Sequence, residues 1–253
     1  MKNLFIICFA LVIAANITSC KKTLTNSPVS VDSLKVGLIA YYPFNNNGVD
    51  SSGNGNNATV FNVSPSTDRF GKANYAYSFN GTTSYAAVAD NAALRLSNTD
   101  FTVSTWVNMT AFNSTSGSFI FAKRTSGLND GWGFSITGYQ SGTPIVGGVF
   151  FGPGGGNPYA VGTKSLVTGK WNMVTVVYNL AKQQVSIYEN GVLDNVTNNI
   201  ATPNAAINAN LYIGTDNPIN ATSYFMNGAF NDMRIYNRAL SSSLVQQLYL
   251  SVH

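Results

Sequence analysis

Hydrophobic and polar positions alternate along most of the chain in short runs that end at turn-forming residues. Alternation places successive side chains on opposite faces of a strand, so these runs predict β-strands with one buried face. Asn80-Gly81 and Asn190-Gly191 separate neighbouring runs and favour tight hairpins. The runs that fit the pattern are residues 38–44, 76–79, 85–88, 101–109, 118–122, 132–137, 145–151, 171–178, 184–189, 211–214 and 228–236.

The pattern changes to a helical period after the last of these runs. Ser241 can cap a helix through its hydroxyl, and apolar residues then recur at helical spacing. They are Leu244, Val245, Leu248 and Tyr249. About a dozen short strands followed by one helix predict an all-β fold, a two-sheet antiparallel sandwich with a short C-terminal helix.

The composition agrees with strands joined by turns. The chain has 23 Gly, 13 Tyr and 15 Phe, and only 9% of its residues are charged. The formal net charge of +4 is small and scattered, so we expect no nucleic-acid partner. Lys123-Arg124 is the basic pair inside the predicted domain, and we interpret it as a solvated strand edge.

The N-terminus has the features of a targeting segment. Lys2 precedes an apolar run, residues 4–15, that is too short to span a bilayer. The sequence ITSC at 17–20 then resembles a bacterial lipobox, in which the cysteine is acylated. We interpret residues 1–19 as a lipoprotein signal peptide and Cys20 as the lipidation site. An ordinary cleaved signal is the alternative.

The rest of the chain divides into a tether and one domain. Residues 20–35 are polar and predict a flexible linker, whereas residues 36–253 have a length normal for one all-β domain. Cys8 and Cys20 lie outside that domain, so we expect no disulfide in it. These features predict a monomer in the cell envelope, at the outer membrane, whose only membrane contact is its lipid anchor.

Several motifs occur in a fixed order along the predicted domain. They are YYPF at 41–44 with DSSGNGN at 50–56, YSFNGTTSY at 77–85, FTVSTWV at 101–107, Trp171 with Val174, YENG at 188–191, and the strand-then-helix ending at 228–250. This set resembles the laminin G-like jellyroll domains of the concanavalin A-like lectin/glucanase superfamily. The resemblance implies a jellyroll sandwich, a fold that serves binding proteins and enzymes alike.

The segment at 50–57 is the best metal candidate. Its Asp and Asn side chains offer the hard oxygens that Ca²⁺ prefers, and its glycines let the loop curl. A calcium ion near this loop is common in the resembled family, which implies one structural Ca²⁺ here. The matching ligands are Asp50, Asn54, Asn56 and Asp232. The alternative is an Asx-rich turn without an ion.

Catalytic groups are scarce in the sequence. The only histidine is His253, the last residue, which excludes a Ser-His-Asp device. Glu189 is the only glutamate, and we expect it at a hairpin tip. Asp130, or Asp216 with Asp232, could supply the two carboxylates that a glycosidase needs. We expect no catalytic residues and no enzymatic activity, with a glycoside hydrolase as the third alternative.

Sugar recognition would use aromatic rings together with polar groups on loops. Trp132 follows a polar loop between two glycines, and a glycine-rich loop at 151–159 has aromatics at both ends. We expect these loops to expose the ligand-binding residues Trp132, Tyr139, Tyr159 and Tyr224. The alternative is a hairpin whose aromatics belong to the core. The sequence therefore predicts a carbohydrate-binding module, with a protein–protein adhesion or assembly module as its rival.

Overall fold

The computed structural model describes residues 31–113, 116–125, 130–138, 146–154, 158–204, 208–218 and 223–252. The predicted signal peptide, Cys20, Tyr139 and His253 lie outside these residues. The strands are β1 (Leu38–Tyr42), β2 (Ala58–Phe61), β3 (Ser64–Ser66), β4 (Ala76–Asn80), β5 (Tyr85–Val88), β6 (Phe101–Met109), β7 (Ser118–Lys123), β8 (Trp132–Ile136), β9 (Val149–Pro153), β10 (Ala160–Val161), β11 (Trp171–Asn179), β12 (Gln184–Glu189), β13 (Val192–Thr197), β14 (Leu211–Ile213) and β15 (Asn227–Tyr236). The helix α1 spans Ser242–Leu250, and 3₁₀ turns span Val31–Leu34 and Ala92–Arg95.

The strands form two antiparallel sheets. The eight-stranded sheet has the order β13-β12-β11-β6-β15-β4-β3, and β1 also pairs with β15. The seven-stranded sheet has the order β10-β9-β8-β7-β14-β5-β2. The chain crosses repeatedly from one sheet to the other, for example from β5 to β6 and from β14 to β15, as in a jellyroll sandwich, so the fold prediction is confirmed.

Two apolar clusters stabilise this arrangement. The larger one fills the space between the sheets and includes Phe79, Trp132 and Phe230. The smaller one lies on the outer side of the eight-stranded sheet, where Leu244, Leu248 and other side chains of α1 cover Trp106 and Met173 of the sheet. The apolar face predicted for the helix is therefore the face that packs on the sheet.

The predicted element boundaries agree closely with the structure where the alternation is strong. The hydroxyl of Ser241 accepts the N–H of Leu244 at 3.3 Å, which is the predicted helix cap. Strands β2, β3, β10 and β13 were not predicted, because each is short, lies near a sheet edge or has mixed polarity. Among the described residues, no helix is both long and apolar enough to span a membrane.

Candidate functional site

Alternation along the seven-stranded sheet turns a set of aromatic side chains away from the core. On β14, Leu211 and Ile213 belong to the inter-sheet cluster, so Tyr212 points to the outer side. The same alternation on β8 buries Trp132 and Phe134 and turns Gly133 outward. We call the outward aromatic residues of this sheet the aromatic face. They are Phe61, Tyr85, Tyr212, Phe119, Phe150 and Tyr159.

Two ring pairs on the aromatic face remain partly open to solvent. Phe61 and Tyr85 stack with centroids 4.5 Å apart, and Phe61 is 38% exposed. Phe150 and Tyr159 lie 4.9 Å apart, and Tyr159 is 37% exposed. Strand pairing places Phe61 opposite Tyr85, whereas the second pair lies across β9 and the start of β10. The face therefore offers an accessible aromatic surface at each side of the sheet.

Small residues line the centre of the aromatic face, and the rings of Phe119 and Phe150 pack over two of them. Ala122, Gly133 and Gly152 are register partners on three neighbouring strands. A Cβ on Gly133 would lie 2.5 Å from Cε1 of Phe119, and one on Gly152 would lie 3.1 Å from Cε1 of Phe150. The two phenyl rings therefore lie directly against the backbone, and a larger residue at Gly133 would displace one of them.

A buried ion pair borders this centre. Arg124 follows β7 and Asp216 follows β14, and the guanidinium bonds both carboxylate oxygens, Nε to Oδ1 at 2.9 Å and Nη2 to Oδ2 at 2.5 Å. The same guanidinium lies 4.6 Å from the ring centroid of Phe119. Exposure of the two side chains is only 11% and 8%. The pair is thus a fixed polar element at the edge of the aromatic face.

The expectation that Lys123-Arg124 forms a solvated edge is wrong. Lys123 is fully buried, and its ammonium bonds Asp90 at 2.6 Å and the carbonyl of Ala209 at 2.5 Å. Burial lowers the pKa of Lys123, whereas hydrogen bonds from Arg95 and Lys123 lower the pKa of Asp90 to about 2. These partners lie 33 and 86 positions from Lys123 along the chain, and no local pattern at Lys123-Arg124 indicates them.

The predicted exposure of Trp132 is also wrong. Its side chain is fully buried in the inter-sheet cluster, and Nε1 donates to the carbonyl of Leu94 at 3.0 Å. The cause is the alternation of side chains along β8, which places Trp132 and Phe134 on the core side of the sheet and Gly133 on the outer side. Trp132 therefore cannot stack on a ligand at the surface.

Two of the other predicted ligand-binding residues lie at the aromatic face. Tyr159 packs beside Phe150, and Tyr224 meets the ring of Phe119 edge-on with centroids 5.6 Å apart. Their role in binding stays a prediction. The sequence analysis did not identify Phe61, Tyr85 and Tyr212. Each is an aromatic residue whose neighbours along the strand face the core, and Tyr85 and Tyr212 lie in strands that the sequence predicted.

The predicted calcium loop forms a hydrogen-bonded turn along the free edge of β1. Asp50 Oδ1 accepts the N–H groups of Tyr41 and Ser52, each at 2.9 Å, and Oδ2 accepts that of Asn56 at 2.9 Å. Asn56 Nδ2 donates to the carbonyl of Ile39 at 2.7 Å. Asn54 likewise donates to the carbonyl of Leu38 at 2.9 Å. The loop therefore covers an edge that would otherwise leave backbone groups unpaired.

Asp232 does not join this loop. It sits at a bulge of β15 with φ +53°, and β15 pairs with the opposite edge of β1. Its carboxylate bonds Arg69 at 3.2 Å and Arg234 at 2.6 Å, and two guanidinium groups disfavour a divalent cation beside it. No group of three or more His, Cys, Asp or Glu side chains that could hold a metal occurs in the described part of the chain. The four predicted ligands do not fit one site, and Ca²⁺ at Asp50, Asn54 and Asn56 alone stays a prediction.

The candidate carboxylate pairs for hydrolysis are likewise separated. Asp216 lies on the outer side of the seven-stranded sheet with Arg124, whereas Asp232 lies in the eight-stranded sheet with its two arginines. Asp130 accepts the N–H of Thr125 at 3.0 Å. Neither of the predicted arrangements therefore places two free carboxylates across a common cleft.

Glu189 lies at the hairpin tip, as predicted, at the end of β12 beside the Asn190-Gly191 turn, and its side chain is buried. It is 9% exposed, and its register partner Val174 belongs to the inter-sheet cluster, so the carboxyl turns toward the core side. Burial, with a further contribution from the charge of Asp194, raises the pKa of Glu189 to about 7. Asp194 itself bonds the N–H and hydroxyl of Thr163 at 2.7 and 2.6 Å.

Known structures share this architecture. Domain 4 of AbnA, a GH43 extracellular arabinanase from Geobacillus stearothermophilus, was solved with arabinotriose; it has 25% identity and a TM-score of 0.64, and the match covers 84% of this chain and 98% of that one. The binding domain of Paraclostridial Mosquitocidal Protein 1 has 20% identity and a TM-score of 0.65, over 85% and 52% of the two chains. The botulinum neurotoxin serotype D binding domain has 19% identity and a TM-score of 0.60, over 85% and 52%. This chain thus spans about half of each toxin binding domain, and at these identities the likeness to the toxins concerns the fold alone.

A search of curated proteins found no match. The Laminin_G_3 family model, described as the concanavalin A-like lectin/glucanases superfamily, matches residues 80–246, which include most strands of both sheets and the start of α1. The two-sheet antiparallel architecture agrees with that match. The chain therefore belongs to the Laminin_G_3 family of the concanavalin A-like lectin/glucanases superfamily.

Proposed function

We propose that this protein is a non-catalytic glycan-binding module whose ligand lies on the aromatic face of the seven-stranded sheet. The observation that carries the proposal is the pair of accessible ring clusters, Phe61 with Tyr85 and Phe150 with Tyr159, on one sheet surface. Aromatic rings offer a large apolar area at a small entropic cost, and the apolar faces of sugar rings can pack on them. The guanidinium of Arg124 and the carboxylate of Asp216 lie at the border of this surface and bond each other, so the rings alone supply the ligand contacts that the proposal needs.

The spacing of the two ring clusters favours a chain of sugars over a single sugar. The cluster of Tyr85 lies on β5 and that of Phe150 on β9, with β14, β7 and β8 between them. Four strand spacings of about 4.8 Å separate the clusters by about 19 Å. A ligand that contacts both clusters must therefore be an oligosaccharide.

The arabinanase domain solved with arabinotriose supports binding as the function. It is the neighbour with 25% identity, and nearly all of its length is matched. Since this fold carries both binding and catalytic proteins, the fold alone does not choose between them. The aromatic face, rather than the family, supplies the argument for a glycan.

The test is a glycan array followed by calorimetry on the purified full-length chain. We expect Phe61→Ala and Tyr159→Ala each to weaken oligosaccharide binding by about tenfold, since each removes an accessible ring. Phe70→Ala is the matched control, because Phe70 is 51% exposed but lies outside the aromatic face. Absence of any glycan binding by the wild type, or unchanged binding by both variants, would overturn the proposal.

We further propose that Cys20 anchors this module in the cell envelope, at the outer membrane. The support is the lipobox-like sequence at 17–20 after an apolar run. Cys20→Ser should abolish incorporation of labelled palmitate and release the protein from the membrane fraction. Cys8→Ser, within the predicted signal peptide, should leave both unchanged. Membrane retention of the Cys20→Ser protein would contradict the anchor.

One observation favours the rival function, a protein–protein adhesion module. Strand β13 is the edge of the eight-stranded sheet, and it exposes Val192 to 59%, Leu193 to 48% and Val196 to 38%. An exposed apolar edge can pair with another protein. If adhesion is the function, Leu193→Glu should abolish cell–cell aggregation while Tyr159→Ala leaves it intact. The opposite result supports glycan binding.

A further inference from the structure

The strands of the seven-stranded sheet present no charge on their outer side. Lys123 is the only charged residue in β2, β5, β7, β8, β9, β10 and β14. Its side chain is fully buried and ion-paired with Asp90. A ligand on the aromatic face would therefore meet rings, glycines and hydroxyls along the strands.

The positive charge of Arg124, at the border of the aromatic face, is neutralised by Asp216. Both carboxylate oxygens of Asp216 accept hydrogen bonds from Arg124, which leaves the pair without net charge. Asp130 accepts the N–H and the hydroxyl of Thr125, the residue next to Arg124, and adds negative charge at the same border. An anionic sugar that approached Arg124 would meet the charge of both aspartates.

The position of Arg124 does not depend on Asp216 alone. Its guanidinium also lies over the ring of Phe119, which is itself held against the backbone at Gly133. Such stacking stabilises an arginine side chain in one orientation. Without the carboxylate of Asp216, the guanidinium would stay near the aromatic face with two donors free, and these donors match the geometry of a carboxylate.

We propose that the aromatic face selects neutral oligosaccharides, and that Asp216 determines this specificity by occupying the guanidinium that would otherwise bind an acidic sugar. The inference rests on the proposed glycan-binding function. It assigns the ligand class as chains without uronic or sialic acids. It also makes Asp216 a specificity residue rather than a contact that the ligand requires.

The experiment compares neutral and acidic sugars of matched length on the full-length chain. Galacto-oligosaccharides are paired with oligogalacturonates, and lactose-based glycans with their sialylated forms. For the wild type we expect acidic forms to bind at least about tenfold more weakly. Neutral binding should stay constant from about 0.05 M to about 0.5 M salt, since no exposed charge contributes to it.

The Asp216→Asn variant tests whether removing the charge of this carboxylate creates binding of acidic sugars. It should raise affinity for the acidic sugars by about tenfold in a salt-sensitive manner, because an unpaired guanidinium forms strong hydrogen bonds with carboxylates. The double variant Arg124→Gln/Asp216→Asn should lose that gain and keep neutral binding. Thermal unfolding of each variant shows whether it is folded. If Asp216→Asn does not fold, the comparison of neutral with acidic sugars on the wild type still tests the selectivity.

The outcomes separate this inference from the proposed function. Binding of neither sugar class overturns glycan binding itself. Equal or tighter binding of acidic sugars by the wild type overturns the selectivity and leaves glycan binding intact. A folded Asp216→Asn protein that gains no acidic binding overturns the role of Asp216.

Discussion

Trp106 and Tyr249 stack with ring centroids 5.4 Å apart and an interplanar angle of 19°. The contact joins α1 to the outer side of the eight-stranded sheet, because Trp106 belongs to β6 and Tyr249 to the helix. The guanidinium of Arg69 lies 4.7 Å from the Trp106 ring and donates to the carbonyl of Ser251 at 3.1 Å. The C-terminal segment is therefore held by an aromatic stack and by a cation that bonds the chain after the helix.

This arrangement predicts a measurable stability cost for Tyr249→Ala. The variant loses the stack on Trp106, and we expect the free energy of unfolding to fall by at least about 0.5–1.5 kcal/mol, the contribution of aromatic pairs beyond their buried area. Chemical denaturation followed by Trp fluorescence measures the change. Tyr249→Phe should keep most of the stability, and Leu250→Ala, at a 66% exposed position, is the control for the helix end. Equal losses for Tyr249→Ala and Leu250→Ala would show that the stack contributes nothing specific.

The carboxylate of Asp232 predicts a larger effect. It is buried between Arg69 and Arg234, whose side chains are each 5% exposed, so Asp232→Ala leaves two buried guanidinium groups without their anion. Removing one partner of a buried ion pair costs about 3–5 kcal/mol. We expect this loss in denaturation curves with Ca²⁺ and with chelator alike. Asp130→Ala, at a partly exposed loop position, is the control and should change stability little. A loss for Asp232→Ala that appears only with Ca²⁺ would restore Asp232 as a metal ligand.

Variants of Asp50 distinguish a loop held by hydrogen bonds alone from a loop that also binds Ca²⁺. The carboxylate oxygens of Asp50 accept three backbone N–H groups, and hydrogen bonds to a charged group contribute about 1.5–3 kcal/mol each. Because of these bonds, Asp50→Ala should lower the free energy of unfolding by at least about 2 kcal/mol even in chelator. Asp50→Asn should lose less, since one amide oxygen still accepts.

Thermal unfolding of the wild type with Ca²⁺ and with chelator tests the ion directly. A ligand that binds only the folded state raises its stability by mass action. If the loop binds Ca²⁺, the midpoint should rise with the ion, and Asp50→Ala should abolish the rise while Asp232→Asn preserves it. Elemental analysis of the purified protein distinguishes an ion-free loop from one whose ion resists the chelator.

The sequence predicted the fold better than the site, and Trp132 shows why. Alternation identified β8, but it does not say which alternate residues face the other sheet. A shift of one residue in strand register would place Gly133 on the core side and Trp132 on the outer side. Arg124 and Asp216 are 92 positions apart, and only the pairing of β7 with β14 makes them neighbours. The loop at Asp50 was predicted from its composition, whereas the arginines around Asp232 depend on long-range pairing that one sequence does not reveal.

Glu189 predicts a distinct pH dependence of stability. Its pKa in the folded protein is about 7, raised from the ordinary value of 4.5 by burial first and by Asp194 second, with Lys164 opposing the shift. The folded state therefore holds a proton that the unfolded state releases between these two pH values. Its contribution is fully present below pH 4.5 and is lost as pH rises through about 7.

Over that interval the free energy of unfolding should fall by up to about 3 kcal/mol because of Glu189. Glu189→Gln keeps a neutral side chain of the same shape, so it should abolish this part of the pH dependence and exceed the wild type in stability at pH above 7. Denaturant titrations across the interval measure both effects. Asp130→Asn is the matched control, because it removes a carboxylate at a partly exposed loop position, and its difference from Glu189→Gln isolates the effect of the buried carboxyl. Parallel curves for the wild type and Glu189→Gln would show that the carboxyl titrates at its ordinary pKa in the folded protein.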